Sequence, residues 1–229
     1  MKLSGFTLRI VTDFKLPRLV RDFVLADFVL LAGWGLMGPI FSIFVIEKIA
    51  GATLVTVGIT SAIYWLTKSV IQIPIAEYLD RTDGEKDDFT VLLGGLILSG
   101  VAALLFVLVD EVWKLYAVQF LHAIAFGMYV PSWSAIFSRH LDKNKYALSW
   151  SLDSTAIGLA SGVTGFIGAA IASRYGFTSV FLAASVLSFL SAFITFFVPD
   201  LILPKPKATA HQEDGAMVIK DHSPVSTAQ

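Results

Sequence analysis

Four ionisable residues, Asp27, Lys68, His122 and Asp153, stand inside long apolar runs. In hydrocarbon each costs several kcal/mol, so each must face protein or water. A carboxyl group can take up or release a proton, an ammonium can hold an anion, and an imidazole can do either. Their neighbours recur at helical spacing. Ser61, Tyr64, Lys68 and Gln72 share one helix face, as do Gln119, His122, Phe126, Tyr129 and Trp133. Asp27, Trp34 and Phe41 align in the first apolar run, and Trp150, Ser154, Ile157, Ser161 and Thr164 form a stripe with Asp153 at its edge. Together these stripes would line an aromatic, partly charged cavity. The candidate substrate or proton pathway is Asp27, Trp34, Tyr64, Lys68, Gln72, Gln119, His122, Phe126, Tyr129 and Asp153.

Structural roles compete with each of these. Lys68 could pair with Asp153 or Asp27 as an ion pair, His122 could be a hydrogen-bonded core histidine, and Asp27 could snorkel to a membrane surface. Gly158, Gly162, Gly165 and Gly168 fit close helix packing better than substrate contact. Trp113 and Trp150, at the ends of apolar runs, fit interface anchors.

No enzymatic arrangement emerges. His140, His211 and His222 fall in loop or tail without metal spacing, and Ser138–His140 has no acid to complete a nucleophile. The glycines lie within apolar helices and not after a strand, so they make no phosphate loop. The chain has no cysteine, which excludes disulfides, thiolate catalysis and thiolate metal sites. No catalytic residue, cofactor or metal is expected.

The elements that carry these residues follow from composition. The chain has 229 residues, 55% hydrophobic and 15% charged, with mean hydropathy +0.73. A soluble domain is nearer a quarter charged. Six apolar runs are long enough to cross a bilayer as helices: Phe23–Ile46, Thr53–Tyr78, Thr90–Val109, Val112–Phe137, Ala147–Ser173 and Thr178–Val198. Lys68 and His122 then lie roughly 15 Å deep, near the midplane, at 1.5 Å of rise per residue. Gly51, Asp110-Glu111 and Tyr175-Gly176 mark short turns on one side, whereas Leu79–Phe89 and Ser138–Tyr146 are longer polar connections on the other. Of the lysines and arginines outside the spans, thirteen fall with the termini and the longer connections and three with the short turns. Both termini are therefore expected to be cytoplasmic. Residues 1–22 read as a basic cytoplasmic segment, 23–198 as the six-helix bundle and 199–229 as a disordered cytoplasmic tail.

The connection Tyr78–Phe89 reads YLDRTDGEKDDF, a dense charge cluster between two oily runs. It resembles the loop motif of the major facilitator superfamily, Gly-x-x-x-Asp-Arg-x-Gly-Arg-Lys. Asp80 and Arg81 match the Asp-Arg pair, Gly84 the second glycine and Lys86 the last base. Ala76 stands where the first glycine belongs, Asp83 adds a residue, and Glu85 replaces a base. Gly33–Val45 resembles the family's Gly-rich first helix, with a proline near its outer half. Ser161–Phe181 resembles the end of its fifth helix, the turn, and the start of its sixth. Gln119 occupies the place where many members carry an arginine, which removes the basis for borrowing a proton role from that residue. The resemblance covers Phe23 to Val198.

The resemblance implies an all-α membrane protein, one six-helix half of a twelve-helix transporter. It implies a third and a sixth helix outside against lipid, and neither span holds an ionisable residue. It further implies secondary-active transport of a small solute by alternating access. A lone half would leave its polar stripes facing lipid, so a second six-helix half is expected, most simply in a homodimer. Asp80, Arg81, Gly84 and Lys86 are the expected conformational gate. Asp80 would approach the start of the partner's fifth helix, near Ala147–Trp150. The expected partners are thus a small-molecule solute, a proton as candidate coupling ion, the bilayer of a plasma (inner) membrane, and the second half; no nucleic acid is expected. Three rivals stand beside this: a heteromeric half, part of a longer transporter, and a membrane scaffold or regulator that transports nothing.

Overall fold

The computed structural model of the chain describes residues 18–82, 85–141 and 145–198. All its regular elements are helical. They are α1 (Arg18–Met37), α2 (Phe41–Lys48), α3 (Leu54–Arg81), α4 (Lys86–Leu105), α5 (Val112–Arg139), α6 (Tyr146–Tyr175) and α7 (Phe177–Phe196), with one 3-10 turn, Phe106–Leu108, extending α4.

Five of these are long and apolar enough to cross a membrane, and a sixth span is reached if α1 and α2, bent by 41° at the break between them, are counted as one. The sequence reads as one continuous helix there, but Gly38-Pro39 interrupts it. Proline has no N–H to donate and disfavours helical backbone in the residue before it. The chain turns through Gly38–Ile40 and resumes as α2. Pro74 and Pro131 lie inside α3 and α5, and both helices run on past them.

The charged connection is shorter than the sequence suggests. Leu79–Arg81 still belong to α3, and α4 already starts at Lys86, so only Thr82–Glu85 joins the two. Asp87 and Asp88 sit in the first turn of α4, where the positive end of the helix dipole favours carboxylates. Most of the charge cluster is therefore helix terminus and not loop.

The helices pack in the order α3, α5, α4, α7, α1, α6, so that α3 and α6 stand at the two ends of an arc. Side chains of α1 and α5 meet across its middle. One apolar core lies toward the charged end, around Phe23, Leu30, Leu92, Leu96, Ile136 and Phe137. A second lies toward the tight-turn end, around Phe44, Val45, Phe106, Leu115 and Phe181. The polar groups of α7 are spent on packing: Ser185 donates to the Gly100 carbonyl on α4 at 2.9 Å, and Ser191 to the Ala26 carbonyl on α1 at 2.7 Å.

Only part of the expected glycine stripe on α6 is a packing stripe. A Cβ on Gly168 would strike the Leu36 backbone of α1, and one on Gly165 would meet Pro39 at 3.1 Å. Gly158 and Gly162 instead face open space.

At the tight-turn end, Thr53 caps α3 through a reciprocal pair of bonds with Thr56. Lys114 reaches back to Asp110 at 2.5 Å, and this hydrogen bond holds the Asp110 carboxyl below its ordinary range. Trp113, 63% exposed, donates to Glu111 at 2.7 Å.

Candidate functional site

All but one of the ten candidate pathway residues fall into two neighbourhoods. The first is aromatic and sits mid-bundle. α1 presents Trp34, α3 presents Tyr64 and α5 presents His122 and Phe126. The His122 imidazole lies flat on the Trp34 indole, with ring centres 3.7 Å apart and planes 6° from parallel. Tyr64 covers it at 4.6 Å and Phe126 meets it edge-on at 4.9 Å. His122 is 9% exposed, yet neither ring nitrogen has a hydrogen-bond partner; the same holds for Trp34 Nε1 and for Gln119 Oε1. Buried polar atoms are usually satisfied. Among the described residues no protein group supplies His122 with the hydrogen bond that a core histidine would have.

The stacked Trp34–His122 pair separates two cavities. One, of about 410 Å³, is lined by Trp34, Gly35, Tyr64, His122, Phe126 and Ser161 among others. The other, of about 190 Å³, reaches Gln119, Phe41 and Phe106. Lys68, one helical turn from Tyr64, places its ammonium 5.9 Å from the Tyr64 ring centre and 5.0 Å from that of Trp65. Among the described residues no carboxylate lies within ion-pair distance of it. Gln72, one turn further along α3, is half-buried and joins neither neighbourhood.

The second neighbourhood is the carboxyl pair. Asp27 on α1 and Asp153 on α6 come within hydrogen-bonding distance of each other. They are 3% and 4% exposed, so Asp27 does not snorkel to a surface. A hydrogen bond between two carboxyl groups needs a proton on one of them. This corrects the expected pairing of Lys68 with either aspartate: α1 and α6 are neighbours in the arc, whereas α3 lies at its far end. Tyr129 packs on Phe126 at 5.6 Å and lines the small cavity that Asp27 borders, so it bridges the two groups.

Of the expected gate, Gly84 lies outside the described residues. Asp80 is exposed and Arg81 pairs with Glu77 one turn back on α3. Lys86 opens α4, also exposed. The buried electrostatics of this end lie in residues that the motif does not include. Arg139, at the end of α5, pairs with Asp88 and approaches Glu85 at 3.6 Å; His140 Nε2 lies 3.7 Å from Glu85. Side-chain exposure is 0% for Asp88 and 3% for Glu85. Glu85 replaces a base of the loop motif, and the base it meets comes from α5. The signal for this in the sequence is that acid standing where a base is expected, with an arginine closing a later span. Trp150, 40% exposed near the start of α6, packs edge-on against Trp133 and Phe137, at 5.8 and 5.1 Å.

A helical bundle with 5 to 6 membrane-length helices and a polar, aromatic centre defines a multi-pass integral membrane protein. The sequence profile of the Major Facilitator Superfamily matches residues 23–227, and the chain belongs to that family, whose members are transporters and not enzymes. It is 25% identical over 194 residues to an uncharacterized MFS-type transporter of Methanocaldococcus jannaschii, a match covering 84% of this chain and 49% of that protein. The chain thus spans about half the length of the curated relative it matches. Its fold is similar to the in meso crystal structure of the POT family transporter PepTSo, with a TM-score of 0.63 and 15% identity over 84% of this chain and 39% of that one.

Proposed function

We propose that this chain forms one six-helix half of an alternating-access transporter for a small solute. Its complement is a second six-helix body, most simply a second copy related by a two-fold axis along the membrane normal. Both termini face the cytoplasm of a plasma (inner) membrane, as the lysine and arginine distribution favours. The two bodies rock about the cavity between them, and the solute sits against the aromatic wall of Trp34, Tyr64, His122 and Phe126.

One observation carries this reading. The unsatisfied polar atoms of the aromatic wall lie between the two ends of the arc, and those ends are the least covered helices. Only 11% of the central stretch of α3 and 17% of that of α6 is buried, against 56% of α5. A site left open on that side needs a second body to exclude lipid. Asp27 and Asp153 are the coupling candidates, because the pair can hold or give up a proton where α1 meets α6. Asp80, exposed at the end of α3, serves as the latch against the start of the partner's fifth span; Asp80→Asn should shift the inward/outward balance.

The test can be run before the solute is identified. A cysteine at Ser161, on the cavity wall, should react with a membrane-impermeant maleimide in proteoliposomes, whereas one at Phe193, on α7, should not. Uptake of radiolabelled sugars, amino acids or organic acids should then appear for at least one solute and vanish in His122→Ala. A cysteine at Ser161 as unreactive as one at Phe193, with no uptake of any solute, would leave a non-transporting scaffold as the better description.

A further inference from the structure

We infer that the cavity against Trp34 and His122 is built for an organic anion with a flat apolar body, its charged group held by Lys68; this rests on the transport reading above. Lys68 lies near the middle of the 28-residue α3, at membrane depth. An ammonium there is costly without a counter-charge. The two carboxyl groups of the bundle interior, Asp27 and Asp153, do not supply one, since neither lies within ion-pair distance of it. Glu77, the other acid of α3 besides Asp80, pairs with Arg81 at the charged end. The counter-charge that Lys68 lacks within the described chain is supplied by the solute.

The remainder of the wall selects the rest of the molecule. Besides Trp34 and His122, the cavity meets Leu31, Pro39, Phe126 and two glycines, and its only hydroxyls come from Tyr64 and Ser161. That is a poor match for a sugar, whose every hydroxyl needs a partner once desolvated. Lys68 stands beside the cavity wall, its ammonium 5.9 Å from the ring centre of Tyr64, which lines the cavity, and there it opposes a cation. A planar ring fits between such walls by stacking. The His122 ring nitrogens and the Tyr64 and Ser161 hydroxyls are the polar groups placed to fix one or two polar substituents. About 410 Å³ is within the range of pockets that enclose small organic ligands.

The test is equilibrium binding to the full chain in lipid nanodiscs, by calorimetry and by tryptophan fluorescence. Three probes of one shape are compared: naphthoate, its neutral amide, and naphthylmethylammonium. A charge-assisted contact at a partly desolvated ammonium should favour the acid over the amide by about tenfold or more. The cation should bind more weakly than either. Lys68→Gln should bring the acid down to the level of the amide while leaving the amide unchanged, and Lys68→Arg should keep the preference. An acid preference below about fivefold in the unaltered chain, binding of none of the probes, a preference for the cation, or a preference that survives Lys68→Gln overturns the inference. Acid binding that depends on Lys68, without uptake of any solute in liposomes, would end the transport reading alone. Uptake of other solutes without acid preference would end only this inference.

Discussion

Arg139 sits between Asp88 and Glu85, two acids with almost no exposure, and its removal takes an ion-pair partner from both. Breaking a fully buried pair by removing one partner costs about 3–5 kcal/mol. Arg139 keeps 25% of its side chain exposed, so Arg139→Gln should cost on the order of 2–3 kcal/mol, read as a lower midpoint in a detergent thermal melt. Exchanging the charges, Arg139→Asp with Asp88→Arg, should restore only part of the loss, because an arginine in the first turn of α4 opposes the helix dipole. A reversal no less stable than the unaltered chain would show that the dipole has no role. Asp27→Asn is a second probe at this scale. The amide can still donate to Asp153 but carries no exchangeable carboxyl proton. The variant should melt near the parent, and proton movement into liposomes, followed with a pH-sensitive dye, should cease. Continued proton movement would take Asp27 out of the pathway. Arg139, Asp88 and Glu85 lie outside the apolar runs and do not stand out in the sequence, whereas the identity of Asp27 and Asp153 is legible there, because charges inside such runs do. Their pairing is not. Helical spacing shows which residues share a face, but not which neighbouring helix that face meets, so spacing alone sets Lys68 against an aspartate that α1 and α6 keep between themselves.

At the scale of elements, apolar length alone locates the spans to within a few residues. The errors have local causes. α4 starts at Lys86, four residues before the apolar run, because Asp87 and Asp88 suit a helix N-terminus and yet resemble a solvated loop. The first span breaks at Gly38-Pro39 although its apolar run does not. Glycine spacing on α6 is the same for Gly158 and Gly162 as for Gly165 and Gly168, and only helix rotation separates their roles. That separation is measurable. Gly168→Ala forces α6 off the Leu36 backbone and should destabilise the bundle by about 1–3 kcal/mol. Gly162→Ala meets open space within its own copy and should leave the melt of a single copy unchanged or slightly higher, since alanine favours helix by about 1 kcal/mol over glycine. Equal losses at the two positions would mean that Gly162 is also covered.

For the whole molecule, what matters is which exposed faces meet lipid and which meet a second body. Exposure by itself does not decide it, because α3, α6 and α7 all show large apolar side chains. Chemistry does. Beyond Thr178 in its first turn, every exposed residue of α7 is apolar: Leu182, Val186, Phe189, Leu190, Phe193 and Phe196. The exposed face of α3 adds Gly58, Ser61 and Ser69, and that of α6 adds Ser154, Gly158, Ser161 and Gly162. Small and hydroxyl-bearing residues gain little from acyl chains but allow helices to approach closely. The α3 and α6 faces are thus the expected contact and α7 the lipid face. The absence of native cysteine makes this testable without background. Cysteines paired at Ser61 and Ser161 should cross-link two copies in native membranes. α3 and α6 also face each other across the cavity of one copy, so a link between copies is the one that doubles the mass. Cysteines at Val186 and Phe193 should not cross-link. Cross-linking through α7, or a single copy that transports by itself in nanodiscs, would reverse the assignment of the faces. A link from Ser161 to a different protein, with none between copies, would keep the faces and replace the homodimer by a heteromer.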